Sequence, residues 1–139
     1  MWDPHQKNLS DTLEKVQRRS ARRITQDFSP TSSASAILEK LKLPPLKERR
    51  STQKAVMMHK IINCQIDITP RPGLVTPITH TSRGHSSKIR VPQSRTDGYL
   101  HSFFPSAIRL WNSLPESAVS APTPSAFKSS VEAWMSAEH

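Results

Sequence analysis

The chain has 139 residues, about one domain, and its 35% hydrophobic content with 12 prolines predicts a thin core. Its formal net charge of +9 is uneven, because residues 1–60 carry 13 basic and 6 acidic groups. This excess favours a polyanionic partner, nucleic acid before an anionic membrane, over a face that merely improves solubility. One cysteine excludes an internal disulfide. Without a signal-peptide pattern or a membrane-length apolar run, we expect a nuclear or cytoplasmic protein, neither secreted nor membrane-bound.

The first predicted element is a helix over residues 9–25, opened by Asp3 before Pro4 or by Ser10. Four apolar side chains fall on one side of it: Leu9, Leu13, Val16 and Ile24. Five basic side chains lie on the opposite side, within an arc of about 140°: Lys15, Arg18, Arg19, Arg22 and Arg23. Glu14 can pair with Arg18 four residues later, but it cannot neutralise this basic face.

Two further helices are predicted before residue 64. Ser33 or Ser35 can open a short one that carries Ile37. The next runs over residues 45–63, where a basic first half precedes a second half that is apolar nearly all round, a pattern typical of burial. The basic residues that can supplement the first helix are Arg49, Arg50 and Lys54.

Residues 65–100 contain all three glycines and four prolines, which excludes steady helix. Short strands over residues 87–91 and 99–104, joined by a turn at residues 95–98, would form a small hairpin. An irregular connection of this length is unusual inside a compact domain, so we expect it to be functional or mobile.

The last third of the chain is predicted to anchor the fold. Two phenylalanines, expected to be extended, lead into a helix that opens at Pro105 and stops at Pro115. Five side chains between residues 103 and 115 share the apolar face of this helix: Ala107, Ile108, Leu110, Trp111 and Leu114. A final helix opens at Thr123 and Pro124, and its core stripe is Phe127, Val131, Trp134 and Met135.

The polar residues argue against an enzyme. The zinc templates fail with one cysteine, and His80 and His85 have no carboxylates at ligand spacing. Cys64 and His59 are five residues apart on one predicted helix, where they face each other poorly. No glycine-rich phosphate loop occurs, and the aspartates are scattered singly rather than clustered for two-metal phosphoryl transfer. We therefore predict no catalytic residue, no metal site and no cofactor.

Four stretches resemble the C-terminal part of the reverse transcriptase protein of LINE-type (non-LTR) retrotransposons of animals. They are WDP (2–4) leading into LEKVQRRSARRI (13–24), LKLPPLKERR (41–50), MHKIIN (58–63) and FFPSAIRLWNSLP (103–115). The resemblance spans nearly the whole chain, and the last stretch is its most specific part. It implies a helical segment beyond the polymerase palm, in the thumb or after it, where primer–template duplex is gripped. It does not imply catalysis, because the metal-binding aspartates of that family precede this segment.

Together these observations predict a mainly α fold of about five helices, with an irregular Pro/Gly-rich middle that can hold a small β-hairpin. The organisation is a basic helical region (1–64), an irregular connection (65–100) and an aromatic-anchored helical region (101–139). The predicted function is sequence-independent binding of RNA or DNA duplex through phosphates. The alternative is a protein-interaction remnant, or a truncated open reading frame without function, whose apolar faces packed on the polymerase domain of the parent protein.

Overall fold

The computed structural model describes residues 3–79 and 83–138, and the prediction of a mainly α fold is confirmed. Seven helices lie in these residues: α1 (Lys7–Thr25), α2 (Ala34–Lys40), α3 (Leu46–Ile62), α4 (Asp97–Leu100), α5 (Phe103–Ser113), α6 (Glu116–Val119) and α7 (Pro124–Glu138). By their contacts the residues divide into two compact units, one up to Arg50 and one from Ser51 onward. The division falls within α3.

In the first unit, α1 begins at Lys7 with Gln6 as its N-cap, so neither predicted start is right, and Ser10 lies inside the helix. The helix ends where Gln26 adopts left-handed backbone angles (φ 53°), and the Asp27 N–H then donates to the Arg22 carbonyl (3.1 Å). This is the usual way of satisfying the last carbonyls of a helix. The short α2 follows Ser33, as the sequence predicts.

The second unit has an aromatic core centred on Trp111, whose side chain is 1% exposed. The indole ring stacks on Phe127 of α7 with ring centroids 5.7 Å apart, and its N–H donates to the Ser87 carbonyl (2.9 Å). The buried cluster around them contains Ala55, Met58, Ile89, Ala107, Ile108, Leu114, Ala118, Val131 and Met135. The predicted apolar faces of α5 and α7 are therefore confirmed, with Leu110 and Trp134 packed at the margin.

Residues 99–104 do not form a strand, and Phe103 and Phe104 are not extended. Thr96 caps a single helical turn, α4, by accepting from the Tyr99 N–H (3.3 Å). The phenylalanines are the first two residues of α5, which places Pro105 third in the helix. Proline is tolerated there, because the N–H groups of a first helical turn have no intrahelical acceptor in any case.

The middle segment is held by polar side chains rather than by a hairpin. The Asn112 carboxamide of α5 accepts from the Ile89 N–H (2.9 Å) and donates to the Ile89 carbonyl (2.7 Å). This pairing imitates a neighbouring strand. On its other side Ile89 forms one isolated antiparallel bridge with Pro77, the only β pairing within the described residues. The Glu116 carboxylate accepts from the N–H (2.8 Å) and the hydroxyl (3.1 Å) of Ser86.

Candidate nucleic-acid interface

Four of the eight predicted nucleic-acid-binding residues form one exposed face of α1. Lys15, Arg18, Arg19 and Arg23 are all exposed, and in the described part of the chain none of the four side chains has a hydrogen bond or an ion pair. At 100° per residue they span an arc of about 140°. We call these four residues the exposed basic face. Arg and Lys side chains arranged in this way suit phosphate oxygens.

Arg22 lies in the middle of the same arc but is used inside the first unit. Its guanidinium donates to the carbonyls of Ser29 (3.2 Å) and Ser32 (2.9 Å), in the turn between α1 and α2. Asp27 reinforces that turn by accepting from the Ser32 hydroxyl (2.8 Å) and the Ser29 N–H (3.2 Å). Arg22 therefore holds the end of the basic helix rather than extending its phosphate-facing surface.

The Asp27 carboxyl offers a local test of this turn. The hydrogen bond from Ser32, and then that from the Ser29 N–H, lower the pKa of Asp27. The contribution of this group to stability is therefore present above the unfolded pKa of about 3.9 and is lost as the pH falls through the lower folded pKa. We expect Ser32→Ala to raise the pKa of Asp27, as measured by carboxyl NMR titration. An unchanged pKa, or an equal rise in the control Ser35→Ala, would contradict the assignment.

The three basic residues of α3 have different surroundings. Arg50 is 8% exposed, and its guanidinium donates to the Asp3 carboxylate (3.2 Å) and the Ser10 hydroxyl (3.1 Å). Its charge is therefore satisfied within the first unit. Arg49 is exposed in the same unit, whereas Lys54 belongs to the second unit and is half-buried. Of these three residues, Arg49 is the one the structure leaves accessible to a phosphate.

Two side chains of α1 attach it to the start of α3 and to the loop before it, on the side away from the exposed basic face. Glu14 accepts from the backbone N–H groups of Leu46 (3.2 Å) and Lys47 (2.9 Å), the first two residues of α3. A carboxylate is favourable there, because the N-terminus of a helix carries partial positive charge. The Gln17 amide donates to the Pro44 carbonyl (3.0 Å). Glu14 is thus occupied by α3 rather than paired with Arg18.

Replacing Glu14 with Ala is expected to destabilise the first unit by about 0.5–2 kcal/mol, the usual cost of losing a helix cap. The loss should be local. In amide exchange, the Leu46 and Lys47 N–H groups should exchange faster than in the parent chain. Glu39→Ala, which removes an exposed carboxylate from α2, is the matched control. Equal protection of the two amides in both variants would show that Glu14 does not cap α3.

Although α1 is amphipathic, its apolar side is exposed rather than buried. The exposed fractions are 48% for Leu9, 37% for Leu13, 55% for Val16 and 67% for Ile24. The buried residues of this helix are instead Gln17 and Ala21, centred about 80° further round. We call Leu9, Leu13, Val16 and Ile24 the apolar stripe. It lies beside the basic face, with Arg23 and Val16 about 20° apart around the helix.

Among the described residues, His59, His85 and Cys64 show no arrangement for nucleophilic chemistry. His59 is 1% exposed and stacks on Phe127, with its Nε2 3.2 Å from the Ala121 carbonyl. Because a carbonyl only accepts, Nε2 carries the proton. His85 is bound in the same way to the Trp111 carbonyl (2.8 Å). Cys64 is exposed beyond the end of α3, while His80 and His139 lie outside the described residues.

Sequence reasoning missed Asn112, Glu14 and Gln17 as positioning residues. Each is one of several polar residues in its helix, and the partners of the two α1 side chains lie 27 to 33 residues away along the chain. No helix in the described ranges combines the length and the apolar character that crossing a bilayer requires. Comparison of the chain with protein-family models, with curated proteins and with solved structures finds no match in any of the three.

Proposed function

We propose that this chain is a non-catalytic segment related to the C-terminal region of a LINE-type reverse transcriptase, and that it binds nucleic acid without sequence preference. The observation that supports this is the exposed basic face of α1, whose four cations have no internal partner among the described residues. Phosphate contacts of this kind fix position but carry no sequence information. The activity belongs in the nucleus or the cytoplasm, where duplex nucleic acid is present.

The experiment is fluorescence anisotropy of the full chain with a labelled primer–template duplex across a range of salt concentrations. If each of the four side chains neutralises one phosphate, the slope of log K against log salt should be about −3.6 on B-form duplex. Duplexes of unrelated sequence should bind equally well. Affinity that does not depend on salt would refute the proposal. Primer extension with nucleotides and Mg²⁺ would overturn its non-catalytic part.

A second candidate function is docking on another protein domain, such as the polymerase domain of the parent protein. One observation favours it: of the nine large hydrophobic side chains found exposed in the described residues, five lie between residues 9 and 28. They are the apolar stripe and Phe28, which is 69% exposed. Exposed apolar residues concentrated in one part of a small protein mark interaction surfaces.

A further inference from the structure

The apolar stripe has the width of a helix–helix seam. Its first three members, Leu9, Leu13 and Val16, are separated by four and then three residues, the alternation that keeps side chains facing one partner helix. Ser20 and Ile24 continue the line at four-residue steps. The stripe covers an arc of about 80°, narrower than the face of 100° or more that a helix uses against a globular core.

The charge along the stripe is one-sided. Arg19 and Arg23, exposed and without partners in the described part of the chain, border it on one side. Gln17, which is buried within the first unit, borders the stripe on the other side. The two acidic residues of α1, Asp11 and Glu14, lie away from the stripe, and Glu14 is already bound to the start of α3.

The width of the apolar stripe and the charge beside it decide which kind of partner fits it. A second copy would offer no carboxylate beside its own apolar residues, so it would leave Arg19 and Arg23 without an acidic partner. A helix lying in a membrane surface has a broad apolar face, usually with aromatic residues, whereas α1 contains none. A helix that carries acidic residues beside its own apolar residues can pack against the apolar stripe of α1 and also pair with Arg19 and Arg23.

We therefore propose that the apolar stripe of α1, together with Arg19 and Arg23, binds an amphipathic helix that carries Asp or Glu beside its apolar residues. The apolar contacts would supply the buried area, and the arginines would fix the orientation of the partner helix. This inference rests on the second candidate function and names the class of partner. Arg19 and Arg23 also belong to the exposed basic face, whereas the apolar stripe takes no part in the proposed nucleic-acid binding.

The test uses the full chain and three designed helical peptides of 21 residues. One has Leu at the a and d positions and Glu at e and g. The second has Lys in place of Glu, and the third keeps Glu but has Gln in place of Leu. By fluorescence anisotropy, we expect the first peptide to bind at least tenfold more tightly than either of the others. Equal binding of the first and third peptides would overturn the proposal, because charge alone would then account for it.

Leu13→Gln combined with Val16→Gln should weaken the acidic peptide at least tenfold and leave the affinity for primer–template within twofold. Both side chains are exposed, and Gln is a good helix former, so circular dichroism should show an unchanged fold. Leu9→Gln with Ile24→Gln is a second, independent pair. Unchanged peptide affinity in both pairs would overturn the proposal.

If a second copy of the chain or a membrane surface covers the apolar stripe instead, the measurements give different results. Light scattering that shows a dimer lost in the same variants would assign the stripe to a second copy; the docking function would stand and the acidic partner would be wrong. Binding to vesicles of phosphatidylcholine and phosphatidylserine that is lost in the variants would assign the stripe to a membrane surface. That result would overturn both the partner and the docking function, while the salt dependence of primer–template binding would still test the nucleic-acid function separately.

Discussion

Trp111→Ala is expected to lower the free energy of unfolding of the second unit by about 3–5 kcal/mol, the range found for removal of a large buried ring. The side chain is 1% exposed and stacks on Phe127. Its loss would leave a cavity and would also leave the Ser87 carbonyl without the indole donor, a further cost of about 1 kcal/mol. Small domains have only about 5–15 kcal/mol of stability in total, so a loss of this size is a large share of the stability of this unit.

Urea denaturation followed by far-UV circular dichroism measures this loss. Trp134→Ala, at the half-buried margin of the same core, is the matched control and should cost clearly less. Trp111→Phe keeps a ring but not the N–H, and should fall between the two. Nucleic-acid affinity measured below the melting temperature should be unchanged, because the exposed basic face belongs to the first unit. Loss of nucleic-acid binding by a folded Trp111→Ala variant would show that the binding residues are not those of the exposed basic face.

The periodicity of the sequence predicted the buried side chains well in helices that pack through one set of apolar residues. Phe127, Val131 and Met135 recur at helical spacing and are all buried in α7. Thr123 caps that helix as expected, by accepting from the Ala126 N–H (3.2 Å). In these places the local pattern and the tertiary packing agree, so the sequence alone is sufficient.

The same reasoning does not identify the buried side of α1, and the cause is physical. An apolar stripe shows that a helix is amphipathic, but it does not show which side has a neighbour. The contacts that decide it are polar and distant in sequence: Gln17 with Pro44, and Glu14 with the start of α3. Periodicity carries no information about a carbonyl 27 residues away.

The candidate interface was predictable in outline but not residue by residue. Charge counting found the basic helix, yet it treated all its arginines alike. Arg22, and Arg50 of α3, carry the same formal charge as Arg18, but backbone carbonyls and the Asp3 carboxylate engage them internally. Only the tertiary structure separates an arginine that stabilises a fold from one that is available to a ligand. The exposed basic face is smaller than the sequence suggests and better defined.

Replacing Arg18, Arg19 and Arg23 together with Gln is expected to weaken binding to primer–template on the order of 100-fold in 0.1 M salt. Three of the four cations of the exposed basic face are then absent, and the slope of log K against log salt should change from about −3.6 to about −0.9. Gln keeps helix propensity, so circular dichroism should show the helix intact. The measurement is the salt titration by anisotropy described for the parent chain.

The matched control removes the same charge elsewhere in the first unit. Lys40, Lys42 and Lys47 are all exposed and lie outside α1, so changing them to Gln lowers the net charge equally without touching the basic face. If general attraction between a basic protein and a polyanion explained the binding, both triple variants would lose affinity alike. If the face on α1 holds the phosphates, the lysine variant should keep a slope near that of the parent chain, because the counterions released are those displaced at the contacts themselves. Equal loss of affinity in the two variants would show that net charge alone accounts for the binding.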